Sequence, residues 1–165
     1  MLPLIQHETK VGNLQVAVTT DARLVKTLIN EWHSMRPAPA GWKVAFVLTD
    51  GINIYGVSTF GRPVARNEDQ SGATLEHTRM ATAPYAPKNS ASYFMARCRK
   101  WIRKNIPEVT RLISYIPTDL YSGVTYVSDN WPIVYEGQPE RSSWQTRANR
   151  AGIANKLRTK FERVP

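Results

Sequence analysis

Thr74-Leu-Glu-His-Thr-Arg-Met80, a loop with Pro84 and Pro87, Ser90-Ala-Ser-Tyr-Phe-Met-Ala-Arg-Cys-Arg-Lys-Trp-Ile-Arg-Lys-Asn105 and then Thr110-Arg-Leu-Ile-Ser-Tyr-Ile116 form the stretch that decides the fold. Its outer segments are short, apolar and bounded by loop residues, so both read as strands. The middle segment puts Ala91, Phe94, Cys98, Trp101 and Ile102 on one helical face, with Arg97, Arg99, Lys100, Arg103 and Lys104 assigned to the other. Asn89 or Ser90 is expected to cap this helix, its side chain accepting an unpaired N–H of the first turn. Strand, helix and strand in sequence predict a right-handed parallel crossover whose helix starts near the carboxyl end of the first strand. Ligands of such units usually bind there, so Arg79 through Ser92 form the expected site.

Outward from this unit, Leu14–Val18 alternates like a strand, and Asp21 can cap a helix that buries Leu24, Leu28 and Trp32 before Pro37 and Pro39 end it. Lys43–Thr49 and Ile52–Phe60 read as a hairpin closed by Asp50-Gly51. Residues 65–72 read as a surface loop, Tyr121–Asp129 as a short helix and Trp131–Tyr135 as a further strand. Ala148–Arg163 reads as a basic helix or as a tail that orders on DNA. The expected architecture is α/β: one domain over residues 1–150 with a twisted mixed β-sheet and helices on both faces, followed by a basic segment at 151–165.

The 165 residues suit one ordinary core. No apolar run reaches the ~20 residues of a membrane helix, and Met1-Leu-Pro-Leu-Ile-Gln-His-Glu8 lacks a basic leader, so a soluble, cytoplasmic protein is expected. The lone Cys98 sits on the apolar stripe and reads as a core thiol. Lys and Arg number 22 against 13 Asp and Glu, a formal charge of +9 that points to a polyanionic partner. Walker, nucleophile-elbow and zinc-protease signatures are missing, and His7, His33 and His77 are too dispersed to suggest a metal site. Ala86-Pro-Lys-Asn-Ser-Ala-Ser92 is more informative. Small and hydroxyl residues at a helix start expose N–H groups toward which the dipole draws an anion, and Lys88 adds a cation, so Lys88, Asn89, Ser90, Ala91 and Ser92 are candidates for holding a phosphate-bearing cofactor, although helix capping alone also explains Asn89 and Ser90.

Gly61-Arg-Pro-Val-Ala-Arg66, Leu75-Glu-His-Thr-Arg-Met80, Ala86–Ser92, Gly123-Val-Thr-Tyr126 and Asn130-Trp131, with Arg141-Ser-Ser-Trp144, Arg147 and Arg150, resemble in order the motifs of the Mom family. The likeness runs from about Trp32 to Arg150. It implies a GNAT-like (N-acetyltransferase-like) fold and a transferase that converts adenine in phage DNA to a methylcarbamoyl-type derivative on its exocyclic amine, shielding the DNA from host restriction. The implied partners are double-stranded DNA and an activated donor. Residues 83–89 carry Pro84 and Pro87 and no Gly-x-Gly, unlike the usual acetyltransferase pyrophosphate loop, which leaves acetyl-CoA and other acyl or aminoacyl donors all open.

Glu76 or His77 is the expected base beside the weakly nucleophilic amine. Alternation along the strand would turn His77 and Arg79 one way and Glu76 and Thr78 the other. Tyr126 lies where GNAT enzymes often place a tyrosine general acid, with a packed core aromatic as the alternative. Ser114, Tyr115 and Asp119 lie near the same strand end. Arg62, Arg66, Arg147 and Arg150 suit phosphate contacts, and Trp144 suits stacking on an extruded base. An acyltransferase for a small amine or protein, and a non-catalytic DNA-binding module, are the competing readings.

Overall fold

Val44-Ala-Phe-Val-Leu-Thr49 carries no charge and is buried on both faces, as an inner strand must be. The computed structural model describes residues 9–35, 37–117, 120–137 and 157–165. Within them the order is β1 (Gln15–Thr19), α1 (Ala22–Trp32), β2 (Val44–Thr49), β3 (Ile54–Gly61), β4 (Thr74–Thr82), α2 (Ser90–Asn105), β5 (Arg111–Pro117), α3 (Val124–Ser128), β6 (Ile133–Gly137) and β7 (Arg158–Arg163). The sheet runs β1-β2-β3-β4-β5-β7-β6 and is antiparallel except for the β4–β5 pair.

Each face of this mixed sheet carries a helix. Phe46, Leu48 and Phe60 pack on one face with Phe94, Met95, Cys98 and Ile102 of α2, whose 3.6-residue spacing aligns them in one stripe. Burying each of the larger side chains contributes about 1.5–3 kcal/mol. Ala45, Val57 and Ala81 pack on the other face with Val25, Leu28 and Ile29 of α1. Asp21 caps α1 by accepting the Leu24 N–H at 3.0 Å, but Leu24 and Trp32 are only half-buried, because the stripe facing the sheet starts at Val25.

Four further expectations change. Residues 50–53, rather than Asp50-Gly51 alone, join β2 to β3. The Asp50 carboxylate accepts the N–H groups of Ile52 at 2.9 Å and Asn53 at 2.7 Å and the Tyr55 hydroxyl at 2.8 Å, which stabilises the wider loop. Neither Asn89 nor Ser90 caps α2 through its side chain: Asn89 adopts a left-handed φ of 68°, and the Ser90 hydroxyl donates backward to the Pro87 carbonyl at 2.6 Å. Arg99 is not on the solvated face. It is buried and donates to both carboxylate oxygens of Asp129, at 2.8 and 3.0 Å. Residues 158–163, read within a basic helix or tail, are a strand inserted between β5 and β6, with Thr159 and Phe161 buried.

Candidate active site

β4 and β5 pair only over Thr74–Glu76 and Arg111–Ile113, and then diverge. Between the diverging strands lies a cleft of about 270 Å³, walled by residues 77–82 and 114–117 and closed at its ends by Ala91 of α2, the segment 121–126 and His33 after α1. The parallel crossover therefore places the cleft at the carboxyl end of β4, where the sequence located it.

A register shift in β4 decides what faces it. Arg79 stands opposite Thr59 but His77 opposite Phe60, so Thr78 is an extra residue. This overturns the simple alternation: His77 turns to the α2 face beside Phe60, their rings 4.7 Å apart, and Arg79 turns with Thr59 to the α1 face. Both still line the cleft, which opens between the strands.

Four side chains form a buried chain of hydrogen bonds. Ser58 Oγ lies 3.0 Å from His77 Nε2, and His77 Nδ1 lies 2.7 Å from the Tyr126 hydroxyl. Ser114 Oγ donates to the Tyr126 oxygen at 2.7 Å and stands 3.2 Å from the His77 carbonyl, bridging the strands where their ladder ends. Burial, with the nearby charges of His33 and Arg79, pushes the His77 pKa down to about 3, so the ring is neutral. Burial pushes the Tyr126 phenol up, against the opposing Ser114 hydrogen bond, so it keeps its proton. Tyr126 is fixed by stacking on Phe161 at 4.8 Å and 17° and by an edge contact with Trp131. Tyr126 is a core residue that also lines the cleft.

The sequence model of the Mom protein family matches residues 13–161. This chain belongs to the Mom protein family. A search of the curated proteins finds no match. Among solved structures, the fold is similar to the ribosomal-protein-S18-alanine N-acetyltransferase of Escherichia coli, with TM-score 0.63 and 10% identity over 92% of this chain and 93% of that one. It is also similar to the spermidine N-acetyltransferase of Vibrio cholerae in complex with CoA and spermine, with TM-score 0.64 and 11% identity over 93% and 96%. The IAA acetyltransferase of Bacillus cereus gives TM-score 0.63 and 13% identity over 92% and 99%. The Mom family chain thus has the GNAT-like fold its motifs implied.

Other expected residues of this Mom family member sit elsewhere. Glu76 is buried but points away from the cleft, accepting the Val64 N–H at 2.7 Å. Burial and the neighbouring Glu68 raise its pKa, against the pull of that N–H. Of the α2 start, Ala91 borders the cleft; Ser90 is committed to Pro87, Lys88 and Asn89 are exposed, and neither they nor Ser92 line it. Arg62 and Arg66 line a separate shallow pocket with Gln70, which bonds Arg62 at 2.5 Å. The loop is an organised one: Gln70 donates to the carbonyls of Pro63, Ala65 and Glu68, and the Glu68 carboxylate is clasped by Lys160, Tyr115 and Arg111. Asp119, Trp144, Arg147 and Arg150 lie outside the described residues. Sequence reading missed Ser58, which reaches His77 only through the β3–β4 register, and the part His33 takes in the cleft wall.

Proposed function

We propose that this chain is a transferase that modifies the exocyclic amine of adenine in double-stranded DNA with a methylcarbamoyl-type group, protecting phage DNA from restriction. The observation that carries the reading is the cleft between β4 and β5 with the proton-bearing Tyr126 hydroxyl in its wall. Family membership and the charge of +9 support adenine in DNA as the acceptor.

In the acyl-transfer step the amine lone pair attacks the donor carbonyl carbon. The new C–N bond forms as the bond to the leaving group breaks, the amine sheds a proton to water, and Tyr126 gives its own proton to the leaving group and recovers one from solvent. His77, with a pKa of about 3, is too weak a base to take the amine proton and acts as a positioning residue that orients the phenol. Ser114 holds the phenol from the other side.

The residues present fit an anionic activated donor; acetyl-CoA would deliver an acetyl group, so the methylcarbamoyl-type adduct requires a donor whose transferred group already carries the nitrogen. Arg79 and Ala91 of the first turn of α2 line the cleft, and Arg79 Nε, which is buried, has no hydrogen-bond partner among the described residues. The donor supplies the activated carbonyl when bound. The likeness in fold to a spermidine enzyme favours a small-amine acyltransferase as the second reading.

Restriction digestion separates the two. Plasmid from bacteria making the chain should resist enzymes whose sites contain adenine, and plasmid from cells making Tyr126→Phe should be cut. Normal cutting in both, with soluble folded protein, overturns the reading. Acylation of spermidine by the purified chain and acetyl-CoA would then place the chain with the small-amine enzymes.

A further inference from the structure

We propose that the groove between β1 and the outer flank of α2 binds the phosphate backbone of duplex DNA, a contact separate from the cleft; the inference rests on the DNA reading above. The groove, about 590 Å³, is lined on the α2 side by Tyr93, Arg97, Lys100, Trp101 and Lys104. Their spacing of three and four residues keeps them in one stripe of the helix. Across from them stands β1, the edge strand of the sheet.

The charge here has one sign. No Asp or Glu occurs between residues 87 and 107, and among the described residues no acidic one lines the groove. Arg97, Lys100 and Lys104 are exposed, and none of the three forms an ion pair among the described residues. Arg99, in the same basic run, is the contrast: it is buried and paired with Asp129. Like charges three and four residues apart cost a helix a few tenths of a kcal/mol per pair, a cost that a bound polyanion offsets.

The groove floor is fixed. The Tyr93 hydroxyl donates to the Leu14 carbonyl at 3.0 Å, and the Arg97 guanidinium lies 4.9 Å over the Tyr93 ring. From Arg97 to Lys104 the helix rises about 10 Å. One strand of B-DNA carries a charge about every 3.4 Å along its axis, so about four successive phosphates span this length, enough to occupy all three cations. No base edge needs to be read, and the contact is indifferent to sequence.

The test is duplex binding by the full chain at several salt concentrations, using a labelled 20-base-pair duplex, for wild type, for Arg97→Gln/Lys100→Gln/Lys104→Gln, and for Arg23→Gln/Lys26→Gln on α1. Plasmid modification and thermal unfolding are measured on the same proteins. The groove variant, folded as wild type, should bind at least about tenfold more weakly at low salt, with the slope of log affinity against log salt reduced by about 2 to 3, equally for unrelated duplexes. The α1 variant should keep the wild-type slope, which separates the groove from net charge. An unchanged slope in the groove variant overturns the groove while leaving the adenine reading intact if plasmid is still modified. Absence of both duplex binding and modification in wild type removes the DNA reading itself. Binding to anionic phospholipid vesicles as tight as to duplex, lost in the groove variant, would assign the groove to a membrane surface and overturn the proposal.

Discussion

His77 Nδ1 lies 2.7 Å from the Tyr126 hydroxyl, a buried contact between residues 49 apart in the chain that ties β4 to α3 across the cleft. Replacing Tyr126 with Phe keeps the stacking on Phe161 and removes only the hydroxyl. Adduct formation should fall by at least about a hundredfold, within the usual range of general-acid contributions. Stability should fall by only about 1–3 kcal/mol, the cost of leaving His77 and Ser114 short of a partner. Adduct yield beside urea unfolding checks both. A loss of activity matched by gross unfolding would mean that the residue is core alone.

The His77 pKa is about 3 in the fold against 6.5 for the free side chain, so the unfolded chain binds more protons between those values. Stability from this residue is fully present above about pH 6.5 and is lost as pH falls, with a slope of up to about 1.4 kcal/mol per pH unit. Glu76, whose folded pKa is raised, works in the opposite sense above its ordinary value. Urea unfolding of wild type and His77→Gln between pH 7 and pH 5 should show a steeper loss in wild type. Parallel curves would refute a neutral buried His77.

Arg99→Ala leaves the Asp129 carboxylate buried, with Trp131 Nε1 at 2.8 Å and Arg163 at 3.4 Å as its remaining partners among the described residues. The expected destabilisation is about 3–5 kcal/mol, as for one half of a buried pair. Lys100→Ala, one residue along, should cost under about 0.5 kcal/mol. Chemical denaturation of both variants compares them directly.

That contrast shows where the sequence was readable. The period of α2 identified its span and its apolar stripe, and the parallel crossover located the cleft, because local patterns determine both. Arg99 was misassigned because its partner comes from 30 residues away, beyond any local signal. The face taken by Arg79 was lost to a single extra residue, Thr78, since a one-residue shift exchanges the two sides of a strand. The basic stretch 158–163 hides a strand because its buried members, Thr159 and Phe161, stand between charged neighbours. Tyr126 and Ser114 were legible as types near a strand end, but their junction with Ser58 through His77 needed the sheet register.

Gly123, the residue before α3, has φ 72°, and a Cβ there would lie 2.9 Å from Phe161 Cζ and 3.1 Å from Ile116 Cδ1. Gly123→Ala should therefore lower stability by about 1–3 kcal/mol and activity further, because α3 carries Tyr126. Thermal unfolding and adduct yield on one preparation would show it, and wild-type values for both would refute the placement of α3.

The central claim is tested most directly by nucleoside mass spectrometry of plasmid DNA from bacteria making the chain, with Tyr126→Phe as the paired control. The account predicts a heavier deoxyadenosine in the wild-type sample, absent from the control, with the other three nucleosides unchanged. Unmodified deoxyadenosine in both, from cells that contain the folded protein, would contradict it.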